Sequence, residues 1–104
     1  MKVVAVAACT LGVAHTYMAK GAIEQECAKR GHSLKIETQG AIGIENELSE
    51  KDVRDADVVL LAISVAIEGT ERFEEKADEG KVLQLDPSEV IKSPERVFDK
   101  LESL

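Results

Sequence analysis

The fold is decided by residues 3–16, which read VVAVAACTLGVAHT. The first six of these residues are all apolar, and an uninterrupted run of this length is typical of a strand that is covered on both faces. Cys9 follows the run, and a helical pattern then extends from about Ala14 to Arg30. A buried strand that leads directly into a helix favours parallel α/β structure.

Three further strands are predicted downstream. Leu34, Ile36 and Thr38 alternate with polar residues, which indicates a half-exposed strand at a sheet edge. Residues 58–63 form a second uninterrupted apolar run, and residues 82–85 form a shorter strand. We therefore expect the two apolar runs at the centre of the sheet and the other two strands at its edges.

Helical patterns separate these strands. A short helix begins at Ser49, with Asp52 at the spacing of a capping box. Another short helix is expected over residues 70–78, and the Ser93-Pro94 pair begins a terminal helix. The stretch from 40 to 48 is predicted to be a loop.

The alternation of strands and helices predicts right-handed crossovers and a parallel sheet. We expect an α/β fold, with a four-stranded parallel open sheet in the order 2-1-3-4 and helices on both faces, similar to Rossmann folds. In such a sheet the ligand site lies at the carboxyl ends of the strands, where the strand order reverses. That point falls between the first and third strands, where Cys9 opens the loop.

The composition indicates one small globular domain. The chain has 104 residues, 44% of them hydrophobic and 32% charged, and we expect a single domain over residues 1–104. A formal net charge of -7 argues against nucleic acid or an anionic membrane surface as a partner. The apolar runs are too short to cross a bilayer, so we predict a cytoplasmic location and no direct membrane insertion.

The loop after the first strand carries the predicted chemistry. Backbone N–H groups between a strand and a helix converge on one point, where the helix dipole adds positive potential. Gly12 allows the loop angles that a side chain would forbid. We expect a thiol at this point to have a lowered pKa, and its thiolate can attack and hold a phosphoryl group. Cys9 is the predicted catalytic residue, and the predicted phosphate-binding residues are Thr10, Leu11, Gly12, Val13, Ala14, His15 and Thr16.

Simpler interpretations of these residues stay open. Cys9 also fits a small buried hydrophobe that ends a strand, and His15 fits a structural residue at a helix start. Cys27 lies four residues after Ile23 on an apolar helical stripe, which predicts a packed thiol. No cysteine or histidine spacing suggests a metal site, and no cofactor is predicted.

Three groups of residues resemble a known family. They are Cys9, Gly12, Ala14, His15, Thr16, Tyr17 and Met18; then Glu37, Thr38, Gln39, Gly40, Gly43, Asn46 and Leu48; then Ala56, Asp57, Arg72, Phe73 and Lys76. In these motifs the chain resembles the fructose-type B domain of enzyme II in the phosphoenolpyruvate-dependent sugar phosphotransferase system. The motifs extend over most of the chain.

The resemblance implies a relay function. Cys9 would accept a phosphoryl group from a phosphohistidine on an enzyme IIA domain. It would pass that group to a fructose-like sugar bound in the membrane-embedded enzyme IIC domain. The chain would thus be an enzyme component, a protein-phosphocysteine–sugar phosphotransferase, with the parallel four-stranded sheet described above.

Four residues depart from the family pattern. Thr10 stands where the family has Pro, and Leu11 where it has Thr. Ser64 replaces an Asp that usually follows the third strand, and Glu75 replaces a Gly. These changes leave the predicted nucleophile in place and bear on the type of sugar and the fit to partners.

Two other functions remain as alternatives. Cysteine-dependent phosphatases and arsenate reductases use a loop of the same length that ends in Arg, where this chain has His15. Such phosphatases also need an acid, for which the Asp86-Pro87 pair is an unconvincing candidate. The second alternative is a regulatory module, in which phosphorylated Cys9 changes binding to another protein.

Overall fold

The computed structural model describes residues 1–9, 13–40 and 43–104. Within them the strands are β1 (Lys2–Ala8), β2 (Ser33–Gly40), β3 (Gly43–Glu45), β4 (Val58–Ile63) and β5 (Val82–Leu85). They form one sheet in the order β3-β2-β1-β4-β5. The first apolar run, β1, thus lies at the centre of the sheet, as predicted.

Four of these strands are parallel and one is not. β1 pairs in parallel with β2 on one side and with β4 on the other, and β5 pairs in parallel with β4. The order of these four strands, β2-β1-β4-β5, is the order expected from the sequence. β3 pairs with β2 in the antiparallel direction.

The predicted four-stranded, all-parallel sheet in the order 2-1-3-4 is therefore wrong in two respects. The sheet of the described residues has five strands and is mixed, and β3 occupies the edge that was assigned to β2. The prediction of a loop over residues 40–48 fails for the same reason. β3 has only three residues and no apolar alternation, so its sequence gives no strand signal.

The described helices are α1 (Val13–Arg30), α2 (Glu50–Asp55), α3 (Glu74–Asp78), α4 (Pro87–Lys92) and α5 (Pro94–Glu102), and a 3-10 turn at Thr70–Phe73 precedes α3. The capping box at Ser49 and Asp52 is confirmed, since each side chain accepts a hydrogen bond from the backbone of the other. Helix α4 was not predicted. Asp86 caps it, and Pro87 occupies its first turn.

Helices cover both faces of the sheet. On one face, core residues of β1 and β4 pack against α1, α4 and α5, with Phe98 and Ile23 among the largest buried side chains. On the other face, Val4 and Val6 of β1 pack against α2 and Phe73. Burial of a side chain of this size contributes roughly 1.5–3 kcal/mol, so the central strands anchor both layers. In the part of the chain that the structure describes, no helix is long and apolar enough to cross a membrane.

Candidate active site

Cys9 lies directly after β1 at the carboxyl end of the sheet. Ala8, the last residue of the strand, pairs with Gln39 of β2 and Ile63 of β4, so neighbouring strands flank the end of β1 on both sides. The backbone N–H of Ser64 donates to the carbonyl of Ala8 at 3.1 Å. Cys9 is partly exposed, whereas the other cysteine is buried. A partly exposed thiol at this point is accessible to a reaction partner.

Cys27 is the packed thiol that its position predicts. It belongs to the core between α1 and the sheet and is 2% exposed. Burial, with the nearby charge of Glu26, raises the pKa of Cys27 to about 11. A thiol that is both buried and protonated reacts slowly, which leaves Cys9 as the candidate nucleophile.

His15 contacts the candidate nucleophile. It lies in the first turn of α1, and its Nδ1 is 3.2 Å from the Sγ of Cys9. The first turn of α1 contains no acidic residue that would offset the positive end of the helix dipole. The structure thus brings together the strand-end thiol, an imidazole and the amino end of a long helix.

The other predicted phosphate-binding residues are described only in part. Val13 begins α1 and Ala14 follows it on an exposed position, whereas Thr16 is buried. Thr10, Leu11 and Gly12 lie outside the described residues. For all of these residues, described or not, a role in binding phosphate stays a prediction.

A buried ion pair joins β2 to the segment that follows β4, near the carboxyl end of the sheet. Glu37 of β2 is fully buried, and Arg72 reaches it with Nη1 at 2.7 Å and Nη2 at 3.2 Å. The backbone N–H of Leu48 and the Nε2 of Gln39 also donate to the Glu37 carboxylate. Burial acts to raise the pKa of Glu37, but the hydrogen bonds from Arg72, Gln39 and Leu48 outweigh it and hold the pKa below its usual value.

This ion pair fixes the segment that follows β4. Arg72 donates to the carbonyls of Gly69 and Glu68, and Gln39 exchanges hydrogen bonds with the backbone of Glu68 at 2.9 Å and 3.1 Å. Because β1 lies between β2 and β4, a segment that leaves β4 and bonds to Gln39 passes the end of β1. The sequence motifs contained Glu37 and Arg72, but nothing in the sequence indicated that they pair.

A second contact links α1 to the additional strand. The hydroxyl of Tyr17 donates to the Glu45 carboxylate, which also accepts from Thr38 at 3.2 Å. The hydrogen bond to Glu45 raises the pKa of Tyr17. Tyr17 lies beside Met18, which is 56% exposed. An exposed apolar surface therefore lies two to three residues beyond His15 in α1.

Asp86, the acid of the Asp86-Pro87 pair, lies at the same end of the sheet as Cys9. It follows β5, and hydrogen bonds from the hydroxyl and the backbone N–H of Ser88 lower its pKa. The charge of His15 contributes to the same shift, so the two side chains interact electrostatically. Among the described residues, no group of three or more His, Cys, Asp or Glu side chains could hold a metal ion.

The fold and the site together define a small α/β domain built around a strand-end thiol. Comparison with known proteins is more specific. A model of the family described as "PTS system, Lactose/Cellobiose specific IIB subunit" matches residues 4–100. The chain belongs to this family, the IIB subunits of the sugar phosphotransferase system (PTS).

Individual relatives agree with this assignment. The "PTS system fructose-like EIIB component 2" of Escherichia coli (strain K12) is 41% identical over 102 residues, which cover 98% of this chain and 92% of that protein. The crystal structure of a predicted fructose-specific IIB from Escherichia coli has a TM-score of 0.89 at 40% identity and covers 98% of this chain and 87% of that one.

A third relative is part of a larger protein. A domain from a fructose-specific IIABC component of the PTS in Borrelia burgdorferi has a TM-score of 0.86 at 43% identity. The match covers 98% of this chain and 93% of that domain. This relative is therefore one domain of a longer protein, the IIABC component.

Proposed function

We propose that residues 1–104 are a phosphocarrier domain in which Cys9 accepts a phosphoryl group from a phosphohistidine on an enzyme IIA domain. The group then passes to a fructose-like sugar held by a membrane-embedded enzyme IIC domain. The observation that carries this proposal is the position of Cys9, partly exposed at the carboxyl end of β1 and next to the amino end of α1.

The position of Cys9 supports nucleophilic chemistry. A thiolate is stabilised by a helix amino terminus and by nearby hydrogen-bond donors, and the same groups bind phosphoryl oxygens. In the transfer, the S–P bond forms as the N–P bond of the donor breaks. The second transfer forms an O–P bond to the sugar and returns the electron pair to Sγ.

Membership of the IIB family supports the two partners. One similar structure belongs to a fructose-specific IIABC component, which is the basis for assigning an A and a C domain as donor and acceptor. We assign a fructose-like sugar because the relatives carry that description, whereas the family description names lactose and cellobiose.

The relay is favoured over a cysteine-dependent phosphatase. A phosphatase needs an acid–base residue and a cation that clamps the transition state. Asp86, which could have supplied the acid, caps α4 and is hydrogen-bonded to Ser88. Arg72 is paired with buried Glu37 rather than presented to a phosphate.

The proposal is tested by incubation with a phosphorylated IIA partner and mapping of the label by mass spectrometry. We expect the label on Cys9, its loss in Cys9→Ser, and its retention in the matched control Cys27→Ser. Label that survives in Cys9→Ser, or that maps to His15, would contradict the assignment.

A further inference from the structure

We infer that His15 is a catalytic residue of this transfer: its Nδ1 takes the proton of the Cys9 thiol and keeps it while Cys9 carries the phosphoryl group. The inference rests on the proposed carrier function, and it assigns His15 a role beyond contact with phosphate. It is carried by the 3.2 Å contact between Cys9 Sγ and His15 Nδ1.

The contact has the geometry that proton exchange requires. A separation of 3.2 Å between sulfur and nitrogen is a hydrogen-bond distance, and the nitrogen in contact is the one nearest the backbone of His15. One turn of helix fixes that backbone, because His15 is the third residue of α1. His15 therefore faces the thiol before any phosphoryl group arrives.

Two groups near His15 can carry negative charge, the Cys9 thiolate and the Asp86 carboxylate. A thiolate at 3.2 Å stabilises an imidazolium directly, and the reverse holds for the thiolate. Asp86, from the end of β5, adds a carboxylate that interacts with the charge of His15. On its own helix, His15 is followed by Thr16, Tyr17 and Met18, none of which carries a positive charge.

The proton can be followed through the first transfer. It leaves Sγ and binds Nδ1, so a thiolate and an imidazolium face each other. The thiolate then attacks phosphorus, the S–P bond forms and the N–P bond of the donor breaks. The departing donor nitrogen takes a proton from solvent, because it lies on the far side of phosphorus from Sγ. His15 keeps its proton and faces the phosphoryl group as a cation.

The second transfer uses the same two side chains, Cys9 and His15. The sugar hydroxyl attacks phosphorus, its proton is released to solvent, and the O–P bond forms. The S–P bond breaks, and its electron pair returns to Sγ as a thiolate beside the waiting imidazolium. A positive charge already in place beside Sγ stabilises the departing thiolate and makes Cys9 a better leaving group.

The discriminating variant is His15→Asn. The amide of Asn can occupy the position of Nδ1 and donate a hydrogen bond, but it cannot accept the thiol proton. His32→Asn is the matched control, because His32 lies at the opposite end of the sheet and contacts Glu102 at 2.6 Å. Thiolate is measured by ultraviolet absorbance at neutral pH, as the difference from Cys9→Ser in the same background. Transfer is measured in a single turnover from the phosphorylated IIA partner.

We expect His15→Asn to lose about tenfold or more in both thiolate absorbance and transfer rate. An ordinary cysteine, with a pKa of about 8.5, is only a few per cent thiolate at neutral pH. His32→Asn should retain the wild-type values. Wild-type thiolate and transfer in folded His15→Asn would overturn the role of His15 and leave the carrier function standing. Failure of the wild-type protein to take phosphate on Cys9 would instead overturn the carrier function.

The wild-type imidazole gives a second readout that needs no substitution at His15. In nitrogen NMR at neutral pH, we expect a proton on Nδ1 of His15, and we expect that signal to weaken in Cys9→Ser, where the thiolate is gone. An identical His15 spectrum in both proteins would overturn the inference, whatever the folding of His15→Asn.

Discussion

Glu37 shows how a single buried residue depends on its partners. Its carboxylate is fully buried in β2 and is held by Arg72, Gln39 and the backbone N–H of Leu48. Removal of one partner from a buried ion pair costs about 3–5 kcal/mol, because the remaining charge is left without compensation. We expect Glu37→Gln to destabilise the protein by an amount of this order at neutral pH.

The same residue predicts the acid sensitivity of the fold. The pKa of Glu37 is lowered in the folded protein, so the folded state binds fewer protons than the unfolded state in mild acid. The stability that the ion pair contributes is present above about pH 4.3, the usual pKa of Glu, and is lost as the pH falls toward the lower folded value. In urea denaturation across this range, Glu37→Gln should therefore lose less stability than wild type.

A charge-matched control separates this effect from general acid denaturation. Glu24 is an exposed residue of α1, and Glu24→Gln removes the same charge. It should lose stability with acid as steeply as wild type. If Glu37→Gln and Glu24→Gln declined in parallel, the buried ion pair would not be a source of the acid sensitivity.

At the scale of elements, the packing of Arg72 in the segment after β4 depends on Gly69. Gly69 has a φ of 74°, and an added Cβ would lie 2.7 Å from the Nε of Arg72. Arg72 cannot move aside freely because it is paired with buried Glu37. Gly69→Ala therefore carries the cost of the left-handed conformation and the cost of displacing Arg72.

Gly80 provides a comparison at the same backbone angle. Its φ is 72°, and an added Cβ would meet nothing within 4 Å. We expect Gly80→Ala to cost about 1–2 kcal/mol, the price of the left-handed conformation alone. In urea denaturation Gly69→Ala should cost clearly more. Equal losses in the two variants would mean that Arg72 yields without cost and that the ion pair does not hold this segment rigidly.

The elements that the sequence predicts are those with strong local signals. β1 and β4 are uninterrupted apolar runs, and Ser49 has a capping residue at the right spacing. β3 is held by backbone hydrogen bonds to β2 rather than by its own composition, so no local pattern predicts it. Helix α4 had the start signal, with Asp as cap and Pro in the first turn, but its six residues show no full apolar period.

The residues of the candidate site show the same difference between local signals and contacts of distant segments. Cys9 and His15 could be identified as candidates because the loop stands between a strand and a helix, and both are where that placement predicts. The pairing of Glu37 with Arg72 joins residues 35 positions apart, and the contact of Tyr17 with Glu45 joins residues 28 apart. Contacts between distant segments depend on the packed fold, which local patterns do not encode.

For the whole molecule, we expect phosphorylated Cys9 to be stable until an acceptor is present. While His15 holds its proton it cannot accept one from water, and Arg72 is engaged by Glu37. The imidazolium of His15 offers fewer donors to the phosphoryl oxygens than the guanidinium of a phosphatase loop, and loss of a transition-state donor typically costs about 100- to 1,000-fold in rate. A sugar hydroxyl that is held in line with phosphorus reacts faster than free water, because its position and orientation are already set.

The measurement is the lifetime of the isolated phosphoprotein, compared with its lifetime beside membranes that contain the IIC partner and sugar. We expect decay to be much faster in the complete system, and unchanged when the membranes are supplied without sugar. Equally fast decay of the isolated phosphoprotein would favour the phosphatase alternative. His15→Arg supplies the missing guanidinium and should shorten the lifetime of the isolated phosphoprotein slightly.

The two borders of the sheet affect how copies of the chain meet one another. Within the described residues, one border is β3, three residues long and antiparallel to its neighbour, and the other is β5, four residues long. Open strand borders are the usual route by which β-rich chains add to one another and aggregate. Borders this short offer an approaching copy few backbone groups in register. If the chain is the proposed carrier, short borders would favour it, because few open backbone groups would draw a second copy toward the end of the sheet where Cys9 lies.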